Sequence, residues 1–275
     1  MRQWRLIFDV PARGAHNMAV DEAILWAVSA DLTLPTLRFY AWSPPCLSLG
    51  YAQKTADIDF QRVTELEWEV VRRPTGGRAI LHADELTYSV ALPADHPLAA
   101  GDIVESYRRI SQALMAGLQH LGLNPQADRK THHEINGPVC FDTPSHYEIM
   151  VNGRKLVGSA QVRRKGGLLQ HGSLPLRGDL GRICDGLMYP DEASHQQAKA
   201  RVRAKGITLE AALGTAVSWR TAAESLAQGF ITALDMNFVE SALTDAESER
   251  AAYLASEIYV NVDWNRRRFN QPDLG

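Results

Sequence analysis

Cysteine is scarce in this chain of 275 residues: Cys46, Cys140 and Cys184 are odd in number and far apart. That excludes a disulfide framework and suggests no CxxC-type zinc site, and it fits a reducing compartment in which thiols stay available for chemistry. An excess of either charge is also missing. A net charge of -3 gives no global attraction to nucleic acid or to a membrane surface. No apolar run approaches the roughly 18 residues that a spanning helix needs. The opening MRQWRLIFDVPARG has no apolar stretch followed by a small-residue cleavage site. A cytoplasmic protein with neither a membrane nor a nucleic-acid partner is expected. Repeats, low-complexity tracts and clear linkers are absent, and so are an HExxH metal site and a serine nucleophile elbow.

What is present is ordinary globular material, 45% hydrophobic and 22% charged, enough for a substantial core. NMAVDEAILWAV, 17–28, reads as a helix with Asn17 as N-cap and Asp21 and Glu22 near the positive end of its dipole. TLRFYAWS and CLSLGYAQ are β-rich runs on either side of Pro44 and Pro45, and ADIDFQRVTELE returns to helical spacing. WEVVRRPTGGRAILHADELTYSVALP reads as a strand, a Gly-Gly loop and a second strand. Residues 102–121 place Ile103, Tyr107, Ile110, Leu114, Leu118 and Leu121 at steps of three and four, with Gly122 as the stop. GLLQHGSLPL supplies another strand after the Gly166-Gly167 turn. Beyond about residue 185 the pattern is helical, with capping boxes expected at Thr221/Glu224 and Thr244/Glu247. Strands and helices do not alternate strictly, so the chain is expected to be one α+β domain over 1–275. Its sheet should be mixed and largely antiparallel, flanked by helices, with a helical C-terminal portion.

Three features carry chemistry. In RRPTGGRAILH, Gly76 and Gly77 permit a left-handed backbone or close approach to a ligand, with Arg72, Arg73 and Arg78 around them. The plainer alternative is a hairpin turn with solvated arginines. No Lys-Ser/Thr pair follows the glycines, so this is not a P-loop, and the third glycine of a dinucleotide fingerprint is missing. His82, five positions on, is either a satisfied structural histidine or a ligand-orienting one.

The second feature is EIMVNGRKLVGSAQV, where Asn152-Gly153 signals a type I′ hairpin. A two-residue turn pairs Val151 with Arg154, Met150 with Lys155, Ile149 with Leu156 and Glu148 with Val157. The apolar Ile149/Leu156 face should meet the core, which leaves Lys155 with Glu148 on the opposite face, against solvent or a pocket. The third feature is Cys140 in GPVCFDTPSHYEI. A lone cysteine is more often a small hydrophobe than a nucleophile. It becomes one if Lys155 stabilises its thiolate. For the two to meet, the chain between them must fold back, and Asp142, Pro144 and Ser145 are turn-formers in that interval. Cys46 follows Pro-Pro into an apolar strand, Cys184 in GRICDGL carries no comparable partner signal in the sequence, and THHE at 131–134 reads as a solvated loop.

RRPTGGRAILHADELTYS resembles the signature of the biotin/lipoate protein ligase superfamily. CFDTPSHYEIMVNGRKLVGSAQVRRKGGLLQHGSLPL resembles its cysteine-using LipM-type octanoyltransferase branch. NMAVDEAIL and ITLEAALG join the likeness, which spans most of the chain. The resemblance implies a catalytic core over about 31–240 with a helical extension over about 241–275. It implies transfer of an octanoyl group, without cofactor or ATP, from octanoyl-acyl carrier protein to a lysine of a lipoyl-domain protein, typically the glycine-cleavage H protein. Cys140 would match the acyl-thioester nucleophile and Lys155 the lysine that lowers its pKa. Arg73, Gly76, Gly77, Arg78, Ala79 and His82 would match the loop lining the acyl pocket. A monomer is implied. Both protein partners are usually acidic, so Arg163, Arg164 and Lys165 form a candidate docking patch, against the alternative of a solvated turn. Three rivals remain open. They are an ATP-dependent lipoate ligase, an amidotransferase moving octanoyl or lipoyl groups between carrier proteins, and a non-catalytic scaffold that binds an acyl chain or its carrier.

Overall fold

The structure, a computed structural model, describes residues 2–128, 148–164 and 166–266. Cys140, the THHE segment, the turn-formers at 142–145 and Lys165 lie outside the described residues.

The chain opens with β1 (Arg2–Phe8), α1 (Gly14–Ser29), β2 (Thr36–Tyr40), β3 (Cys46–Leu49), α2 (Phe60–Glu65) and β4 (Glu69–Arg72). It continues through β5 (Ile80–His82), β6 (Glu85–Pro93), α3 (Ile103–His120), β7 (Gln126–Asp128), β8 (Glu148–Val151), β9 (Arg154–Arg164) and β10 (Gly167–Pro175). The remainder is α4 (Glu192–Lys205), α5 (Leu209–Leu213), α6 (Trp219–Leu234), β11 (Met236–Glu240), α7 (Asp245–Leu254) and α8 (Val262–Asn265), with a π-turn at Ala255–Tyr259. Eight strands form one sheet in the order β11-β1-β2-β6-β10-β9-β8-β7, and β4-β3-β5 form a smaller one. β1 runs parallel to both β11 and β2, whereas β2, β6, β10, β9 and β8 pair antiparallel. The mixed, mostly antiparallel α+β architecture is the expected one.

Alternation along the strands divides the core between two layers. Leu86, Tyr88, Val90 and Leu92 of β6, with Leu168 and Leu174 of β10, pack with Ile110, Leu114 and Leu118 of α3 and Leu226 and Phe230 of α6. On the other side Ala91 and Leu169 meet Met18, Val20, Ile24 and Leu25 of α1, with Ala251 and Leu254 of α7 behind. Leu47, Leu49 and Ala79 of the small sheet and its edge form a third cluster with Ile183, Ala198 and Val202.

Several local expectations change. Helix α1 begins at Gly14 with Arg13 at the N-cap; Asn17 is buried inside the first turn, its Nδ2 donating to Ala12 O (3.2 Å) and Ala41 O (3.0 Å). The box at Thr221 is replaced by Ser218, whose hydroxyl accepts from Thr221 N (3.0 Å), while Glu224 pairs with Arg220. Thr244 and Glu247 do form a reciprocal capping box, and Glu247 also accepts from the buried Arg5 (2.9 Å). That ion pair fastens α7 to β1. The strand after the Gly-Gly loop is two strands, broken at Asp84, whose φ is +52°, so β5 and β6 enter different sheets. β4 and β5 flank β3 and do not pair with each other, so the glycines bridge across a sheet and do not turn a hairpin.

The β8-β9 hairpin has left-handed Asn152 (φ 51°) and Gly153 (φ 72°), as a type I′ turn demands. Val151 faces Arg154 and Met150 faces Lys155, but Ile149 faces Val157 because a bulge lies between Ile149 and Met150. Leu156 is the extra residue, so neither the Ile149/Leu156 pair nor the Glu148/Val157 pair forms.

Candidate active site

Strand register assembles the site. Arg38 of β2, Ser89 of β6 and His171 of β10 lie side by side in one row across the sheet, and Tyr40, Thr87 and Ser173 form the next row. All six point towards α1 or the small sheet, away from the α3/α6 layer. Polar side chains cannot be buried there without partners. Asp21 of α1, fully buried, supplies them: it accepts from Arg38 Nη1 (2.9 Å), Tyr40 Oη (2.8 Å), Ser89 Oγ (2.7 Å) and His171 Nδ1 (3.2 Å). Burial pushes the Asp21 carboxyl up, but its bonds to His171, Arg38 and Ser89 outweigh that and hold its pKa below the usual carboxylate value. The Asp21 carboxylate holds the imidazole of His171 through Nδ1, and the other ring nitrogen, Nε2, lies 2.6 Å from the Thr75 hydroxyl in the Gly-Gly loop.

Beside this network lies a narrow cavity of about 10 Å³, room for about one water molecule. Its apolar wall is Met18, Trp42, Ile80 and Ala160; its polar groups are Ser48, Arg73, His82, Thr87, His171 and Ser173. Arg73, buried, sends Nη1 to Ser48 O (3.0 Å) and Ser48 Oγ (3.1 Å), and Nη2 to the carbonyls of Gly76 (2.9 Å) and Arg78 (2.8 Å). His82 stacks on Trp42 with ring centroids 3.9 Å apart, and its Nε2 meets Ser48 Oγ (2.8 Å). Glu85 ties the floor together, accepting from Thr87 Oγ1 (2.9 Å) and Ser173 Oγ (2.6 Å). Among the described residues no group of three or more His, Cys, Asp or Glu could hold a metal ion, and no helix is long and apolar enough to cross a membrane.

Burial lowers the pKa of His82, with Glu85 opposing and Arg73 and His171 reinforcing the shift. The unfolded chain therefore binds a proton near pH 6.5 that the folded chain resists, and folding free energy is lost as pH falls from about 6.5. The urea midpoint is expected to drop between pH 7.5 and 5, and His82→Gln to flatten that decline.

The sequence-predicted residues are distributed as follows. Arg73 and His82 line the pocket. Gly76 and Gly77 are exposed, Arg78 is half-buried, and Ala79 turns into the small-sheet core. Only one of the two glycines is geometrically required: Gly77 has φ +96°, whereas Gly76 has open space where a Cβ would sit. A third, Gly50, matters more, because a Cβ there would stand 2.0 Å from Gly77 O. Gly50→Ala should cost about 1–3 kcal/mol by overpacking. Gly76→Ala should be neutral or stabilise by about 0.4–1 kcal/mol. Paired urea melts check both.

Lys155 is buried, not solvent-facing, and its Nζ donates to Glu148 Oε1 at 2.6 Å, two buried charges satisfying each other. Of the candidate docking patch, Arg163 is exposed and Arg164 half-buried, and both guanidiniums also hold groups of the fold. Arg163 donates to the carbonyls of Gly101 (2.7 Å) and Asp102 (2.8 Å) and to Ser106 Oγ (2.9 Å), and Arg164 pairs with Glu22 at 2.6 Å. Cys46 and Cys184 are buried. Sequence reasoning missed Asp21, Ser48, Thr75, Glu85 and His171 as site residues.

Residues 13–231 match the lipoyl protein ligase A/B catalytic domain. The chain is 40% identical over 276 residues to octanoyltransferase LipM of Brevibacillus brevis, covering 98% of this chain and 100% of that protein. It is 44% identical over 269 residues to octanoyltransferase LipM of Moorella thermoacetica, covering 96% and 98%. Its fold is similar to a solved structure from an archaeal lipoylation system of Thermoplasma acidophilum, described as a bipartite lipoate protein ligase and its E2 lipoyl domain. There the TM-score is 0.82 at 24% identity, over 100% of both chains. The chain belongs to the lipoyl protein ligase A/B catalytic domain family, in its octanoyltransferase LipM branch.

Proposed function

We propose that this octanoyltransferase takes its acyl group from octanoyl-acyl carrier protein as a thioester on Cys140 and delivers it to a lysine of a lipoyl-domain protein, the glycine-cleavage H protein. The full-length likeness to LipM octanoyltransferases carries this reading. Cys140 and Lys155 enter through the motif resemblance. In the first step the Cys140 thiolate attacks the donor's carbonyl carbon, the donor C–S bond breaks, and the carrier's thiolate leaves. The exchange of one thioester for another is nearly isoenergetic. In the second step the neutral lysine amine attacks the same carbon, the Cys140 C–S bond breaks, an amide forms, and the proton lost by nitrogen balances the regenerated thiolate. No ATP is consumed.

The octanoyl chain is assigned to the region between Met18, Trp42, Ile80 and Ala160, with Arg73 and His82 at its polar side, where these side chains must move apart to admit it. The same resemblance underlies reading the chain as a cytoplasmic monomer, one domain with a core over about 31–240 and a helical extension beyond it. The test is intact mass after incubation with octanoyl-acyl carrier protein in the absence of ATP. Wild type should gain one octanoyl group and lose it to added lipoyl-domain protein, and Cys140→Ala should gain none. An adduct that persists in Cys140→Ala overturns the thioester, and product from free octanoate only with ATP would identify a ligase.

A further inference from the structure

Arg72 ends β4 one residue before the pocket-lining Arg73, and it is buried without entering the pocket. Its guanidinium gathers backbone carbonyls from two places. Nη1 donates to Gly50 O (2.7 Å), Tyr51 O (3.0 Å) and Gln53 O (2.8 Å); Nε donates to Trp264 O (3.2 Å) and Nη2 to Asn265 O (3.1 Å). Its main chain is gripped by the same two C-terminal residues. Asn265 Oδ1 accepts from Arg72 N (2.7 Å), and Trp264 Nε1 donates to Arg72 O (2.9 Å). Asn265 Nδ2 donates in turn to Tyr259 O (2.8 Å), and Tyr259 Oη donates to Glu22 in α1 (2.6 Å).

The 50–53 loop that Arg72 holds is the floor beneath the Gly-Gly loop. Tyr51 N donates to Thr75 O (2.8 Å), and Gly50 abuts the Gly77 backbone so closely that no Cβ fits between them. An exposed loop with two adjacent glycines has much conformational freedom to lose, and a site ordered in advance does not lose it on binding. We propose that the C-terminal segment acts as a clamp, with Arg72, Trp264 and Asn265 as positioning residues that hold the 50–53 floor and the Gly-Gly loop in the arrangement that receives the acyl donor. This rests on reading that loop and Arg73 as part of the acyl pocket. Loosening the clamp lowers the fraction of molecules in the binding-competent state, and apparent donor affinity falls by that fraction.

The experiment uses the full chain carrying Asn265→Ala or Trp264→Phe, the latter keeping an aromatic ring while deleting the indole N–H. Amide hydrogen exchange should quicken in peptides spanning 50–53 and 74–78. KM for octanoyl-acyl carrier protein should rise about three- to tenfold, while kcat and KM for the lipoyl-domain acceptor stay as in wild type. Unchanged exchange in both loops, or a fall in kcat at unchanged donor KM, overturns the clamp. The exchange readout needs no turnover. If wild type fails to form an acyl adduct, the proposed reaction falls, and exchange in the two loops still decides the clamp.

Discussion

Lys155→Met is expected to cost up to about 3–5 kcal/mol of folding stability, because it removes the ammonium that lies 2.6 Å from the buried Glu148 carboxylate. Urea denaturation reads the loss as a lower midpoint at unchanged slope. Replacing both members of a buried pair removes the carboxylate together with the ammonium, so Lys155→Met/Glu148→Met should regain much of that stability. Transfer activity separates from stability at this point. If Lys155 stabilises the Cys140 thiolate, the double variant stays as inactive as the single one, although it folds well.

The ion pair also predicts a reciprocal effect. A carboxylate 2.6 Å from the ammonium opposes any thiolate drawn to the same charge, so Glu148→Gln should make Cys140 more reactive towards iodoacetamide at neutral pH, while Lys155→Met makes it several-fold less so. Equal alkylation rates in both variants would remove Lys155 from the chemistry and leave it a structural ion.

The helix over 102–121 was legible because its apolar stripe at steps of three and four and the Gly122 stop are local signals; the Asp102/Glu105 capping box that starts it is seen only in the structure. The β8-β9 turn was legible because Asn-Gly has few other uses between strands. The bulge between Ile149 and Met150 was not, since one extra residue leaves no mark on alternation yet moves every pairing beyond it. The burial of Lys155 is hidden for a related reason: the sequence places it opposite an apolar face but does not reveal what covers the other one.

The missed residues left faint signals. α1 is apolar nearly all round, so Asp21 and Glu22 inside it had to be partnered within the core, not merely favoured by a dipole. In β10 the run Gln170, His171, Ser173 interrupts a strand buried along its whole length, and polar groups on both faces of such a strand point to a hydrogen-bonded network. Thr87 and Ser89 alternate with Leu86, Tyr88 and Val90 as a half-solvated strand would, yet α1 and the small sheet cover that face. Their partners are distant in the chain, and only register brings Arg38, Ser89 and His171 into one row.

That row makes Asp21 the other position where a single change should have a large effect. Asp21→Ala leaves Arg38 with Asp9 as its remaining carboxylate and strips the acceptor from Tyr40, Ser89 and His171, all buried. Loss of one partner from a buried charged network costs about 3–5 kcal/mol, a large part of the 5–15 kcal/mol typical of a whole domain. Asp21→Asn keeps the size and one acceptor but presents an N–H to a neighbour that also donates, so it should lose less in the urea melt and still misplace the imidazole. Released from Asp21, the His171 imidazole is free to rotate, its Nε2 moves off the Thr75 hydroxyl 2.6 Å away, and the Gly-Gly loop loses that hold on β10. The Asn variant should therefore raise donor KM at a temperature where it remains fully folded, and Thr75→Val should reproduce that rise with a smaller stability loss. A donor KM unmoved in both would confine Asp21 to holding the fold together.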